Sequence, residues 1–208
     1  MVVGLDLSIN STGVCIYDKG NAEYFLIVPK VTKRMREVSE KEGSRIHYKT
    51  YDKIASLDSH NIRCIAKEIC KIIADKVTKI ETVVIEDVAL AARGRSIITL
   101  TLLNGYLRCM MDQMGLWYEL VNPTQWKKKI LGNGQANKDL IVDEWSKMDP
   151  ESYNVMMGGK VKFKCDDIAD AYFLCRYGDD LWERISDDEE TDNNKETVSY
   201  VWSITLKG

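Results

Sequence analysis

Three stretches of this chain put carboxylates where apolar side chains are expected. Asp6 stands inside the apolar run "VVGLDL" (2–7), Glu86 near the end of "IETVVIEDVAL" (80–90), and Asp167 and Asp170 near the start of "CDDIADAYFLCRYGDDLWERI" (165–185). A buried carboxylate is costly unless it is paired or holds a metal. Asp167 and Asp170 are three residues apart, so on a helix they project from one face. The helix dipole alone accounts for acids in a first turn, which covers Asp166 and Asp167. Asp170 sits among apolar residues and needs another reason. Taken singly, each acid has a structural explanation. Together they are more informative, because carboxylates gathered at the ends of sheet strands repel one another unless divalent cations hold them. Oxygen-only ligation suits Mg²⁺ or Mn²⁺, and two such ions about 4 Å apart serve phosphodiester hydrolysis.

The elements that must carry these acids follow from hydrophobic period and turn residues. Residues 2–7 and 13–18 read as strands around the turn Asn10-Ser11-Thr12-Gly13, and 22–30 as a third strand ended near Pro29. The basic stretch 30–53 has weak periodicity and reads as a loop or short helix. Ile62, Ile65, Ile69, Ile72, Ile73 and Val77 recur at helical spacing and predict an amphipathic helix over 58–79. The continuous apolar run 80–90 fits a buried parallel strand. A turn-like "AARGRS" (91–96) leads to a helix over 97–115, and "LWYELVNP" (116–123) is a further strand. Thr124 is the expected cap of a short helix to 131. "GNGQAN" (132–137) reads as a flexible Gly-rich loop before a helix over 138–148. After a loop holding Gly158-Gly159 comes the helix 165–185. An α/β fold follows, with an antiparallel meander of three strands and later strands parallel to the first.

At 208 residues and 45% hydrophobic composition the chain is expected to form one domain, residues 1–185, with the basic insertion at about 30–53. Residues 186–208 are expected to form an acidic, solvated linker and a C-terminal tail that adds a strand or docks. The net charge of −3 gives no global signal for nucleic acid, so any such binding must rest on local patches. No signal peptide and no membrane span are expected, since Asp6 interrupts a short apolar stretch without a basic flank. None of the six cysteines forms a CxxC pair, and the two histidines are not near a cysteine pair. Reduced thiols in a cytoplasmic protein are expected, and a zinc site is not.

"GLDLSINSTGVCIYD", "VVIEDVAL", "VNPTQWKKKILGNGQANKDLI" and "DDIADAYFLC" resemble, in that order, the four sequence blocks of RuvC-type Holliday-junction resolvases, within the RNase H-like nuclease superfamily. The third block is the most specific: a strand ending in Pro, then lysines, then Gly-x-Gly-x-Ala-x-Lys. The resemblance covers roughly residues 1–177 and departs at the insertion and the acidic tail, features that point to a viral or phage member acting in its host cell. It implies an RNase H-like fold with a central mixed five-stranded sheet flanked by helices. It implies Asp6 as the carboxylate bridging two Mg²⁺ ions (Mn²⁺ substituting), Glu86 as the second-strand carboxylate, and Asp167 and Asp170 as the helical pair, with Asp166 the substitute if the register is shifted. Asp87 points to the opposite face of its strand and is excluded.

The implied activity is structure-selective cleavage of branched DNA by a homodimer. Two active sites would make paired nicks across a four-way junction and leave 5′-phosphates. The apolar helix 97–115 reads as a buried central helix or the dimer interface. Lys127, Lys128, Lys129 and Lys138 flank the Gly-rich loop, whose amides can approach phosphates. Arg93 and Arg95 lie in the loop after Glu86, and these six cations are the expected DNA contacts. Trp126, in a short helix, reads as core more readily than as a base-stacking platform. A less selective nuclease on the same scaffold, cutting flaps, forks or RNA–DNA hybrids, has the same sequence signature. An actin-like ATP-binding domain also opens with an apolar strand, an Asp and a polar hairpin. It needs a second phosphate loop and a second domain, and gives Asp167 and Asp170 no role. No small-molecule cofactor is expected.

Overall fold

The computed structural model describes residues 1–87, 95–158 and 165–191, with side chains for all of these except 95, 96 and 182–191. Among the described residues six strands form one sheet in the order β4-β3-β2-β1-β5-β6. β1 (Val2–Asp6), β2 (Thr12–Asp18) and β3 (Asn21–Val28) are the expected antiparallel meander. β5 (Thr82–Glu86) lies parallel to β1, and β6 (Tyr118–Val121) parallel to β5.

The sheet has one strand more than the five expected. The basic insertion folds into a short helix, α1 (Lys33–Glu40), and then β4 (Ile46–Thr50), which pairs parallel to β3 at the sheet edge. Only Ile46 of this strand is buried, while Lys49 and Thr50 are exposed. An edge strand needs little apolar surface, and Lys there discourages edge-to-edge pairing. That is why its sequence does not read as a strand.

Alternation along the strands decides which layer each side chain enters. Val3, Leu5, Val14, Ile16, Val83 and Ile85 face α2 (Asp58–Ala74) and α3 (Arg95–Gln113). Val2, Cys15, Tyr17, Tyr24, Val84 and Val121 face the layer made by α4 (Pro123–Leu131), α5 (Lys138–Met148), α6 (Pro150–Met157) and α7 (Asp166–Thr191). The helix expected over 58–79 stops at Ala74, and Val77–Lys79 form a single 3-10 turn before β5. α4 is capped by Asn122, whose side chain accepts from the Thr124 amide at 2.9 Å, so Asn122 and not Thr124 is the cap. α6 occupies part of the stretch expected as loop. α7 runs to Thr191, so residues 186–191 of the acidic stretch are helical. The C-terminal tail, 197–208, lies outside the described residues.

α7 lies directly on β1 and β2, and two glycines set that distance. A methyl group at Gly4 would run into the Ala171 carbonyl and crowd the Cys175 amide; one at Gly13 would run into the Asp167 carbonyl. The helix backbone therefore sits closer to the sheet than any side chain on those faces allows.

Candidate active site

The pleat of the sheet places the acids. Asp6 shares its face of β1 with Val2 and Gly4, and Glu86 shares its face of β5 with Val84; both faces look toward α7. Both residues are the last of their strands, and the two strands are parallel neighbours. Asp6 pairs across the ladder with Gly13, the glycine that touches the backbone of Asp167. Asp6, Glu86, Asp167 and Asp170 are thus brought to one end of the sheet, beneath the first turns of α7. Each of the four residues is partly buried.

The electrostatics reflect that proximity. Burial pushes the Asp6 carboxyl well above the usual carboxylate range, and Asp170, Glu86 and Asp167 push it further; Lys138 opposes them. Burial, followed by the Glu86 charge, raises Asp170 to about 7. Burial also raises Glu86, against the Trp126 hydrogen bond and the charges of Lys127 and Lys138. Four acids sharing one partly dehydrated corner is an arrangement that costs stability without a counter-charge. One Asp170 oxygen, Oδ1, is buried and has no hydrogen-bond partner.

The supporting residues are built from α4 and α5. Trp126 is fully buried, stacked 6.3 Å from Phe173, and its indole N–H donates to Glu86 Oε2 at 2.9 Å. The sequence marks Trp126 as core, which it is, and its N–H has a further role as donor to Glu86. The available signal is that a buried indole needs an acceptor, and Glu86 is the acid at hand. Lys138, at the start of α5, bonds to Asp166. Asp166 is buried and held by that pair, whereas Asp167 is among the charges that act on Asp6.

The expected DNA-contacting lysines separate into different settings. Lys127 lies 5.4 Å from the Trp126 ring centroid and lowers the Glu86 and Asp170 pKa values. Lys138 borders the same acids. Lys128 is exposed. Lys129 turns away, bonding Asp180 at 2.6 Å and sitting 4.4 Å over the Tyr177 ring. Arg93 and the side chain of Arg95 lie outside the described residues. The Gly-rich loop is more ordered in its bonding than a flexible loop. Gly132 ends α4 in the left-handed region at φ 70°. The Gln135 and Ala136 amides both bond to Asn133, at 3.0 Å each, so these two amides are committed to the turn.

Chemically, the corner offers carboxylate oxygens only, the donor type that suits Mg²⁺ or Mn²⁺. Among the described residues no group of three or more His, Cys, Asp or Glu side chains is already set as a metal cage. The orphaned Asp170 oxygen and the raised Asp6 pKa mark where a cation would be most stabilising.

Among solved structures, the chain is similar to Thermus thermophilus RuvC, with a TM-score of 0.52 and 16% identity over 89% of this chain and 96% of that one. It is also similar to T. thermophilus RuvC in complex with a Holliday junction substrate, with a TM-score of 0.55 and 14% identity over 89% and 95% of the two chains. No protein-family model matches the sequence. No curated protein matches it either. At these identities the likeness is one of fold: this chain has the RNase H-like fold, a mixed sheet flanked by helices.

Proposed function

We propose that this protein is a divalent-metal-dependent endonuclease acting on branched DNA, with the four-way junction as its preferred substrate. The carrying observation is the convergence of Asp6, Glu86 and Asp170 on one corner, each with its pKa raised by burial, and with Asp167 beside Asp6. Such a set is unfavourable as a structural device and useful as a cation site. Two Mg²⁺ ions would bind to Asp6, Glu86, Asp167 and Asp170 and would supply water activation and stabilisation of the leaving oxygen.

The chain's own residues do the rest. Asp6 is held by the sheet ladder, so its carboxylate is the fixed reference point of the site. Trp126 holds one Glu86 oxygen by its N–H and leaves the other free for ligation. Lys127 and Lys138 border the acids on the α4–α5 side, and with the exposed Lys128 they would neutralise the phosphates flanking the scissile bond. Hydrolysis with departure of the 3′-oxygen leaves a 5′-phosphate.

The branched substrate is favoured because the similar RuvC structure is of a complex with a Holliday junction. A homodimer would present two such sites for paired nicks. Its support is on α3, where Ile98, Leu102 and Tyr106 are 62%, 56% and 37% exposed at helical spacing, opposite the buried Leu103, Leu107 and Met111. All six cysteines are free thiols, which fits a reducing intracellular compartment. Among the described residues no helix is long and apolar enough to cross a membrane. The test is cleavage of a synthetic four-way junction beside a plain duplex, a fork, a flap and an RNA–DNA hybrid. Symmetric nicks in the junction alone support the proposal. Equal cutting of forks, flaps or hybrids replaces it with a less selective nuclease.

A further inference from the structure

We infer that Lys30, Arg36 and Lys53, set in and beside the 30–53 insertion, form a phosphate-binding tract that extends the nucleic-acid footprint from the carboxylate corner to the β4 edge of the sheet. This rests on the nuclease reading above and assigns a partner surface to a segment outside the resemblance.

The topology sets the position. β1, β3, β4 and β5 all run in one direction, since β1–β2 and β2–β3 are antiparallel and β3–β4 and β1–β5 parallel. Their C-terminal ends therefore share one edge of the sheet, the edge that carries Asp6 and Glu86. β4 is three strands from β1, or about 14 Å at ordinary strand spacing. That distance matches about four nucleotide rises along one DNA strand.

Lys53 links the two regions. It is a wall of a cleft of about 450 Å³ that also includes Ser8 and Asn10, in the turn directly after Asp6. It is equally a wall of a cleft of about 850 Å³ lined by Lys30 and Arg36. The Lys53 ammonium donates to Asn10 Oδ1 at 2.6 Å, and the neighbouring Tyr51 hydroxyl donates to the Ile9 carbonyl. The tract is thus pinned to the turn that follows Asp6. One bond to Asn10 leaves the ammonium two further donors for a phosphate.

Charge supports the assignment. Lys30, Arg36 and Lys53 are exposed and, among the described residues, make no ion pair. At the opposite edge Arg45 pairs with Asp149 at 2.6 Å and Lys76 with Glu23 at 2.5 Å, while Lys19 and Lys79 stand exposed. The one acid of the larger cleft, Asp52, is 3.7 Å from His60. Three exposed cations against one acid, along a cleft that reaches the carboxylate edge, fit the evenly spaced charges of a polyanionic backbone.

The experiment measures four-way-junction binding by the full chain against salt, in EDTA, for wild type, the triple variant Lys30→Ala/Arg36→Ala/Lys53→Ala, and a control, Lys71→Ala/Lys79→Ala, at the far edge. Thermal unfolding of each verifies folding. The expected result is a log K against log salt slope smaller by about 2–3 for the triple variant, at an about 10- to 100-fold weaker affinity near 0.1 M salt, with the control close to wild type. A junction with arms too short to reach β4 should lose this difference. A triple-variant slope equal to wild type overturns the tract while leaving the nuclease proposal standing. Equal losses in the control and the triple variant also overturn it, since the effect is then one of total charge. A wild type that binds no nucleic acid overturns both.

Discussion

Gly13 touches the backbone of Asp167 and is also the ladder partner of Asp6. One residue without a side chain thus sets the distance between the sheet carboxylate and the helix carboxylates. Gly13→Ala should destabilise the fold by about 1–3 kcal/mol, because the methyl group must displace either β2 or the first turn of α7. Urea unfolding measures the loss. Cleavage should fall at least tenfold even where the variant is fully folded, since the acids move apart.

Trp126 offers a cleaner separation of packing from chemistry. Trp126→Phe retains an aromatic ring near Phe173 but removes the donor to Glu86. Losing one such hydrogen bond to a charged group is worth about 1.5–3 kcal/mol. We expect the single-turnover cleavage rate to drop by about tenfold or more, with junction affinity within about twofold of wild type. Trp126→Gln, with a donor but no ring, should recover less activity than Trp126→Phe retains if packing dominates, and more if the hydrogen bond does.

The site should be a source of instability when no cation is present. Asp170 in the folded protein titrates at about 7, against about 4 in an unfolded chain. A raised acid pKa means the folded state holds the proton more tightly, so stability is full below about pH 4 and declines as pH rises through 7. Asp170→Asn removes that decline. In EDTA its Tm should match wild type near pH 4 and exceed it at pH 8, by an amount on the order of 1–3 kcal/mol in stability. Equal pH profiles for the two proteins contradict the crowded-carboxylate account.

The exposed stripe on α3 gives a prediction about assembly. Leu102→Glu places a charge in its centre and should convert the proposed homodimer to a monomer in sedimentation equilibrium, with no loss of thermal stability in the monomer. A wild type that sediments as a monomer at micromolar concentration removes the dimer from the account.

Much of this was legible in the residues because the relevant signals are local. Asp6 and Glu86 stand at the ends of apolar strands, and period-2 alternation alone places Asp87 on the other side, where it is exposed. The meander and the long helices follow from turn residues and helical period. β4 was not legible, since a half-exposed edge strand of five residues carries almost no pattern. The roles of Gly13 and of the Trp126 N–H were not legible either. Both depend on which residue lies opposite across about 40 or more positions of chain, and no local period encodes that. Lys129 read as one of a lysine cluster, yet on a helix adjacent residues face different ways, and Asp180 takes it.

The most direct test of the central claim is cleavage of a four-way junction by wild type and Asp6→Asn, with and without Mg²⁺, alongside junction binding in EDTA. Wild type should cut only with Mg²⁺, leaving 5′-phosphates. Asp6→Asn should bind the junction nearly as well and cut at least about a hundredfold more slowly, the scale on which loss of one preorganised electrostatic group slows a reaction. An Asp6→Asn protein that cuts at the wild-type rate would contradict the assignment of this corner as the active site.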